Sequence, residues 1–182
     1  MYIKWIVCEV KEGMKKAFSK AQEQWAVTSH SKGFVGQIGG WELNNKNTAC
    51  ILSFWENQEY LEHFMANLHD KVFFNNNQAD YYDSIHVEHY TTTSSVSMTE
   101  VSLLGQINTA TFFQVNMLDT LPNRRRFMMT GKLNPQRSRK AGVVSNYLTI
   151  TFFETLNMSF LTNLGAISVV DEWRVKRASL SD

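Results

Sequence analysis

Residues 32–64 read KGFVGQIGGWELNNKNTACILSFWENQEYLEHF, and the order of signals in this stretch decides the fold. Gly33, Gly36, Gly39 and Gly40 punctuate a first strand, and ELNNKN supplies turn chemistry. In ACILSFW the side chains alternate, Leu52 and Phe54 on one face and Ile51, Ser53 and Trp55 on the other. Asn57 then stands as a helix N-cap, with Leu61, Phe64, Met65 and Leu68 as the apolar stripe of a helix that frays across FFNNNQ. The stretch is a hairpin that runs into a helix.

Working outward, MYIKWIVCEV sets Ile3, Trp5 and Val7 against Lys4, Ile6 and Cys8, the period of a strand. The next residues change period: Met14, Ala17, Phe18, Ala21 and Trp25 fall on one helical stripe. SIHVEHY closes the unit as a fourth strand. Strand, helix, strand, strand, helix, strand is the split βαβ or ferredoxin-like motif. Two helices cover only one face of such a sheet, so the other face needs a partner.

The same grammar returns downstream. After the Ser/Thr-rich TTTSSVSMTE come a strand, TATFFQVNM, and a helix, LPNRRRFMMTGKL. A hairpin, AGVVSNYLTITFFE, a short helix, TLNMSFLTNL, and a last strand, ISVVDEWRV, follow. Laying ILSFWEN over TITFFET pairs Leu52 with Ile150, Phe54 with Phe152, Trp55 with Phe153 and Glu56 with Glu154, and VEHY lies over VDEW. The expected division is a first unit at 1–91, a linker at 92–104, a degenerate second unit at 105–177 and a tail at 178–182. Both units are α+β with antiparallel sheets, and Leu52, Phe54, Ile150 and Phe152 are expected beneath helices.

Composition narrows the function classes. The chain has 182 residues, and 43% are apolar, enough for a packed core. Its net charge of +1 argues for neither nucleic acid nor an anionic membrane surface. The charge is uneven, since Arg124, Arg125, Arg126, Lys132, Arg137, Arg139 and Lys140 cluster in the second half. A solvated helix face explains that run better than phosphate contact, because the strands lack the aromatic pattern of the RNA-binding version of this fold. No apolar run approaches the ~20 residues of a membrane span, and two cysteines make no disulfide framework. A cytoplasmic protein with no metal site and no cofactor is expected.

IKWIVCEVKEGMKKAF, GFVGQIGGW and ILSFWENQEYLEHFMANLHDKVF together resemble the dimeric α+β barrel proteins of the antibiotic-biosynthesis-monooxygenase type. More narrowly, the chain resembles YdbC-like proteins of Bacillus-type bacteria, which carry a domain of unknown function. The resemblance implies two ferredoxin-like units that meet through their sheets around a cavity. Here a tandem copy could supply the partner within one chain, and a homodimer is an alternative. The superfamily includes haem-degrading oxygenases, cofactor-free oxygenases and proteins with no known reaction, so the fold does not give the chemistry. The haem-degrading branch implies an Asn on the first strand, a Trp on the second helix and a His about ten residues on. Ile6, Phe64 and the FFNNN run occupy those places, which disfavours haem degradation.

Candidate site residues follow from strand parity. If helices cover Leu52 and Phe54, then Ser53 and Trp55 look into the barrel. The resemblance places its catalytic Asn at Ile6, which turns Lys4 and Cys8 inward with it. On the last strand of the first unit, Ile85 and Val87 are the apolar parity, leaving His86 and Glu88 for the barrel. Lys4, Cys8, Ser53, Trp55, His86 and Glu88 are therefore expected to converge on a small apolar or aromatic ligand. His63 and His69, about 600° apart around a helix, are expected to point apart. Cys8 and Cys50 are expected on opposite sheet faces. The functional expectation is a cofactor-free, monooxygenase-like enzyme, with a non-catalytic ligand-binding or assembly module as the alternative.

Overall fold

A computed structural model of the chain describes residues 1–93, 99–119, 129–133, 147–154 and 165–178. The first unit forms β1 (Tyr2–Val10), α1 (Lys15–Glu23), β2 (Phe34–Glu42), β3 (Thr48–Trp55), α2 (Gln58–Phe64), α3 (Asp70–Asn75) and β4 (Tyr82–Thr92). Asn57 caps α2 as expected, its side chain accepting from the Tyr60 N–H at 3.1 Å. After Phe64 the second helix continues to Asn75, within the FFNNNQ run where its fraying is expected. It passes through a π-helical turn, Met65–His69, into α3. Met14 is 42% exposed, so the buried stripe of α1 begins at Phe18.

Beyond β4 the described chain forms α4 (Glu100–Thr109), β5 (Phe112–Leu118), β6 (Met129–Leu133), β7 (Tyr147–Phe153), β8 (Ile167–Val169) and β9 (Val175–Lys176). The first unit reads β2-β3-β1-β4 across its sheet, and the second reads β6-β7-β5-β8. Antiparallel pairing of β4 with β6 and of β8 with β2 joins the two rows. Because β2 also pairs with β3, the pairings run full circle, and β9 continues along β2 beyond β8. At the β2–β8 seam the backbones approach so closely that a Cβ on Gly40 would run into the Ser168 carbonyl.

The faces of the first sheet are the reverse of those expected on β1 and β3. Ile3, Trp5, Leu52 and Phe54 join Phe113, Leu148, Ile150 and Phe152 in one cluster, which fills the lumen between the two sheets. Leu52, Phe54, Ile150 and Phe152 are buried, though in the lumen, where Leu103 and Ile107 of α4 join the cluster, rather than beneath α1 and α2. Helices cover the other parity: Trp55 packs with Leu61 and Phe64 of α2, and Cys8 and Ile51 pack with Phe18 of α1. Every residue of β3 is buried, so hydrophobicity could not reveal which face met helix and which met sheet. On β4, Glu88 lies opposite Trp5 and His86 opposite Val7, and cross-strand partners share a face.

Three other departures have local causes. Residues 100–104, expected in the linker, begin α4, where Thr99 caps the helix by accepting from the Ser102 N–H and Leu103 and Ile107 are fully buried. Residues 129–133, expected at a helix end, form the strand that pairs with β7; the expected hairpin partner at 141–146 lies outside the described residues. The last strand breaks at a 3-10 turn, Asp171–Trp173, which turns Trp173 outward onto Phe18, where its indole donates to Ser19 Oγ. Trp173 is thus not on the face of Tyr90, the residue it was laid over. The helices expected at 121–128 and 155–164, and most of the basic run, also lie outside the described residues.

Candidate functional site

Between the outer face of the first sheet and its helices lies a cavity of about 580 Å³. Lys4, Cys8, Ser53 and Trp55 line its floor, brought together by the pairing of Lys4 with Ser53 in adjacent strands. Trp25, Phe64 and Phe73 supply aromatic walls, and His69 and Asp70 enter from the junction of the π-turn with α3. The rim is apolar: Phe74 is 70% exposed and Ile85 is 40% exposed. A large pocket with aromatic walls and a few polar groups is the usual form of a small-molecule site.

Polar groups also line the cavity, Thr28, Gln37 and His89 among them, and several are placed by neighbours. Lys4 is almost wholly buried, its Nζ 3.7 Å from Met65 Sδ on the π-turn. His69 stacks on Phe73 with ring centroids 5.8 Å apart and lies 5.2 Å from the Trp25 ring. Its Nδ1 meets Asp70 Oδ1 at 2.9 Å, a contact that helps to orient the ring. One wall is a buried amide chain: the Trp25 indole donates to Gln78 Oε1, and Gln78 Nε2 donates to Gln22 Oε1. Asn76, just beyond α3, donates to the Ala21 carbonyl and accepts from the Gln78 N–H, so it anchors that wall.

Of the six residues expected to converge, four do. They converge on the helix side and not in the lumen. Trp55 is 1% exposed, packed on Phe34 and Phe64, with its indole donating to Ser53 Oγ; it is a wall of the pocket and part of the core. Burial pushes the Cys8 thiol up to about 12, with Glu9 adding to the shift and Lys4 opposing it, which favours the protonated thiol. His86 and Glu88 face the lumen, apart from the other four. Cys8 and Cys50 are unpaired on opposite faces, as the strand pattern implies.

The sequence did not reveal His69, Asp70, Gln22 or Gln78 as pocket residues. A regular helix would carry His69 away from the sheet, whereas the wider π-turn brings it over the cavity. No periodicity announces such a turn, although π-turns cluster at functional sites. The amide wall could have been suspected from NNNQ, whose polar side chains were assigned to a frayed end.

Comparison with known proteins fits this architecture. Residues 2–90 match the domain of unknown function DUF4937. The chain is 45% identical over 92 residues to the uncharacterized protein YdbC of Bacillus subtilis, covering 50% of this chain and 77% of that one. The chain belongs to this family. Among solved structures, a "putative monooxygenase" of Fusobacterium nucleatum covers 98% of the chain, and the chain covers 95% of it, at a TM-score of 0.61 and 10% identity. A "putative monooxygenase" of Lactobacillus acidophilus gives 97%, 96%, 0.59 and 9% for the same quantities. An "anthrone oxidase-like protein" gives 85%, 73%, 0.53 and 12%. At these identities the likeness is one of fold, an α+β barrel-type arrangement of antiparallel strands and helices. Among the described residues no helix is long and apolar enough to cross a membrane.

Proposed function

We propose that this DUF4937 protein binds a planar aromatic molecule bearing an acidic C–H or O–H and promotes its cofactor-free reaction with dioxygen. The supporting observation is the cavity itself, where aromatic walls meet a buried Lys4 and a His69 held by Asp70. His69 is the candidate base: removal of a proton from the ring system leaves an electron-rich anion that dioxygen attacks. Lys4 is the candidate partner of the oxyanion. For anthrone the balance is simple: one dioxygen is consumed, the methylene carbon becomes a carbonyl, and one water leaves. Haem chemistry is disfavoured because Ile6 and Phe64, both pocket residues, stand where the resemblance asks for Asn and Trp. The unpaired buried thiols support a reducing, cytoplasmic setting. The repeated strand order supports descent of the second unit from a copy of the first, an intrachain pseudo-dimer.

Anthrone and its oxygen-inert relative 9-anthrol methyl ether serve as probes. Saturable quenching of tryptophan fluorescence by the ether, with oxygen uptake on anthrone that His69→Ala reduces by about a hundredfold, is the expected result. Binding of the ether without enzyme-dependent oxygen uptake favours the second reading, a ligand-binding module, which the core position of Trp55 and the buried Cys8 also suit. Absence of saturable binding removes both.

A further inference from the structure

A second, smaller cavity lies in the lumen, on the other face of the sheet from the pocket above. It measures about 120 Å³ and is lined by Trp5 and Val7 of β1, His86 and Glu88 of β4, and Met117 reaching across from β5. Trp5 is 5% exposed, and among the described residues its indole N–H has no hydrogen-bond partner. A buried donor left unmet costs about 1–3 kcal/mol, so this N–H calls for an acceptor inside the cavity. Directly across the strand pair stands Glu88, 3% exposed, whose Oε2 accepts from the Tyr90 hydroxyl at 2.7 Å. A carboxylate has about four lone-pair sites, so Glu88 can also accept from a ligand.

We infer that the lumen cavity is a binding site for a small neutral molecule with a carboxamide head. Charge decides against the simpler ligands. An anion could satisfy the Trp5 N–H only by lying against the Glu88 carboxyl group. An ammonium ion suits Glu88 but has no acceptor to offer Trp5. A carboxamide presents a carbonyl to the indole and an NH2 to the carboxylate from adjacent atoms, which suits two groups that face each other as a cross-strand pair. Volume permits it, since a water needs only about 10–15 Å³ of such space and the cavity of about 120 Å³ admits a molecule the size of acetamide. Val7 and Met117 supply apolar contact for the alkyl end, and the exposed His86 marks the entrance. In the second unit, register makes Val115 the counterpart of Trp5 and Ile167 that of Tyr90, so among the described residues this pairing of indole and carboxylate does not recur.

The test uses the full chain labelled with nitrogen-15, following its five indole N–H signals during titration with acetamide, acetate and methylammonium. The Trp5 signal is assigned by its loss in Trp5→Phe or, if that variant does not fold, by through-space contacts to the Val7 and Met117 methyls. The expected result is a saturable shift of the Trp5 signal with acetamide alone, weakened about tenfold in Glu88→Gln by loss of a charge-assisted hydrogen bond. No saturable shift means that ordered water alone satisfies the indole, and equal responses to all three probes mean non-specific solvation. Either result overturns the assignment.

Discussion

The two units lay their strands in the same order, but they furnish the two sides of the sheet differently. Toward the lumen, the first unit has Trp5 and Tyr90 where the second has Val115 and Ile167. Toward the outside, the first has Lys4, Ile6 and Cys8 beneath α1 and α2, and the second has Gln114, Asn116 and Leu118. Asn116 therefore occupies in the second unit the place that Ile6 holds in the first, and Gln114 Nε2 donates to its Oδ1 at 3.2 Å. The barrel needs its strands in both units, whereas each face can change its chemistry independently. What the two rows of strands share is the apolar interface: Leu52 and Phe54 meet Ile150 and Phe152 in one cluster.

That shared row is where the comparison can be broken most decisively. Leu52→Ala and Ile150→Ala each remove a fully buried lumen side chain, and each should cost about 2–5 kcal/mol. Because the lumen is one core, both substitutions should lower the midpoint of a single urea transition. Two transitions, with each variant moving only its own, would show that the units fold as independent domains.

The second difference is alkaline sensitivity, which belongs to the first unit because the counterpart of Cys8 is Leu118. The folded Cys8 value of about 12 lies above the ordinary 9.0, chiefly through burial. The corresponding stability is fully present below pH 9 and is lost as the pH climbs toward 12. Urea midpoints measured between pH 8 and 11 should fall, and Cys8→Ala should reduce that slope. An unchanged slope would mean that the thiol is not held in the protonated state by burial.

The smallest effect concerns the tie between the units. Arg177 NH2 reaches Glu56 of the first unit at 2.6 Å, and NH1 reaches Glu100 at the start of α4 at 3.1 Å. These groups are partly exposed, so Glu56→Gln should cost at most about 1 kcal/mol, and less in high salt. A larger, salt-independent loss in urea titrations would mark the contact as a joint on which closure depends.

The first unit was legible because its periods are clean: β1 alternates, α1 carries Phe18 and Ala21 on one stripe, and Asn57 announces α2. The orientation of its sheet was not legible. In β3 both parities are buried, so Ser53 and Trp55 looked as suited to a lumen as Leu52 and Phe54. Cross-strand register, which sequence alone does not supply, links Trp5 to Glu88 and Lys4 to Ser53 and thereby sorts the six candidates into two sites. α4 was hidden because its buried contacts, Leu103 and Ile107, are too few for a clear stripe beside a Ser/Thr-rich run. The pocket's polar wall was hidden because Asn76 and Gln78 reach the Ala21 carbonyl and Gln22 only across more than fifty residues of sequence.

The β2–β8 seam has a consequence for the order in which the protein is made. Gly36 pairs with Lys176 and Gly40 with Val169, so β2 leaves the ribosome long before its final neighbours exist. The four strands of the first unit can pair as soon as β4 emerges, but Ile3, Ile38, Leu52 and Phe54 then present a greasy surface with nothing opposite. Pairings this distant in sequence are slow to form, and unpaired edges on nascent chains invite association. The chain thus spends the second half of its synthesis as an unsealed vessel, and a ribosome that stalls before residue 167 releases a sheet ready to close on a neighbour's.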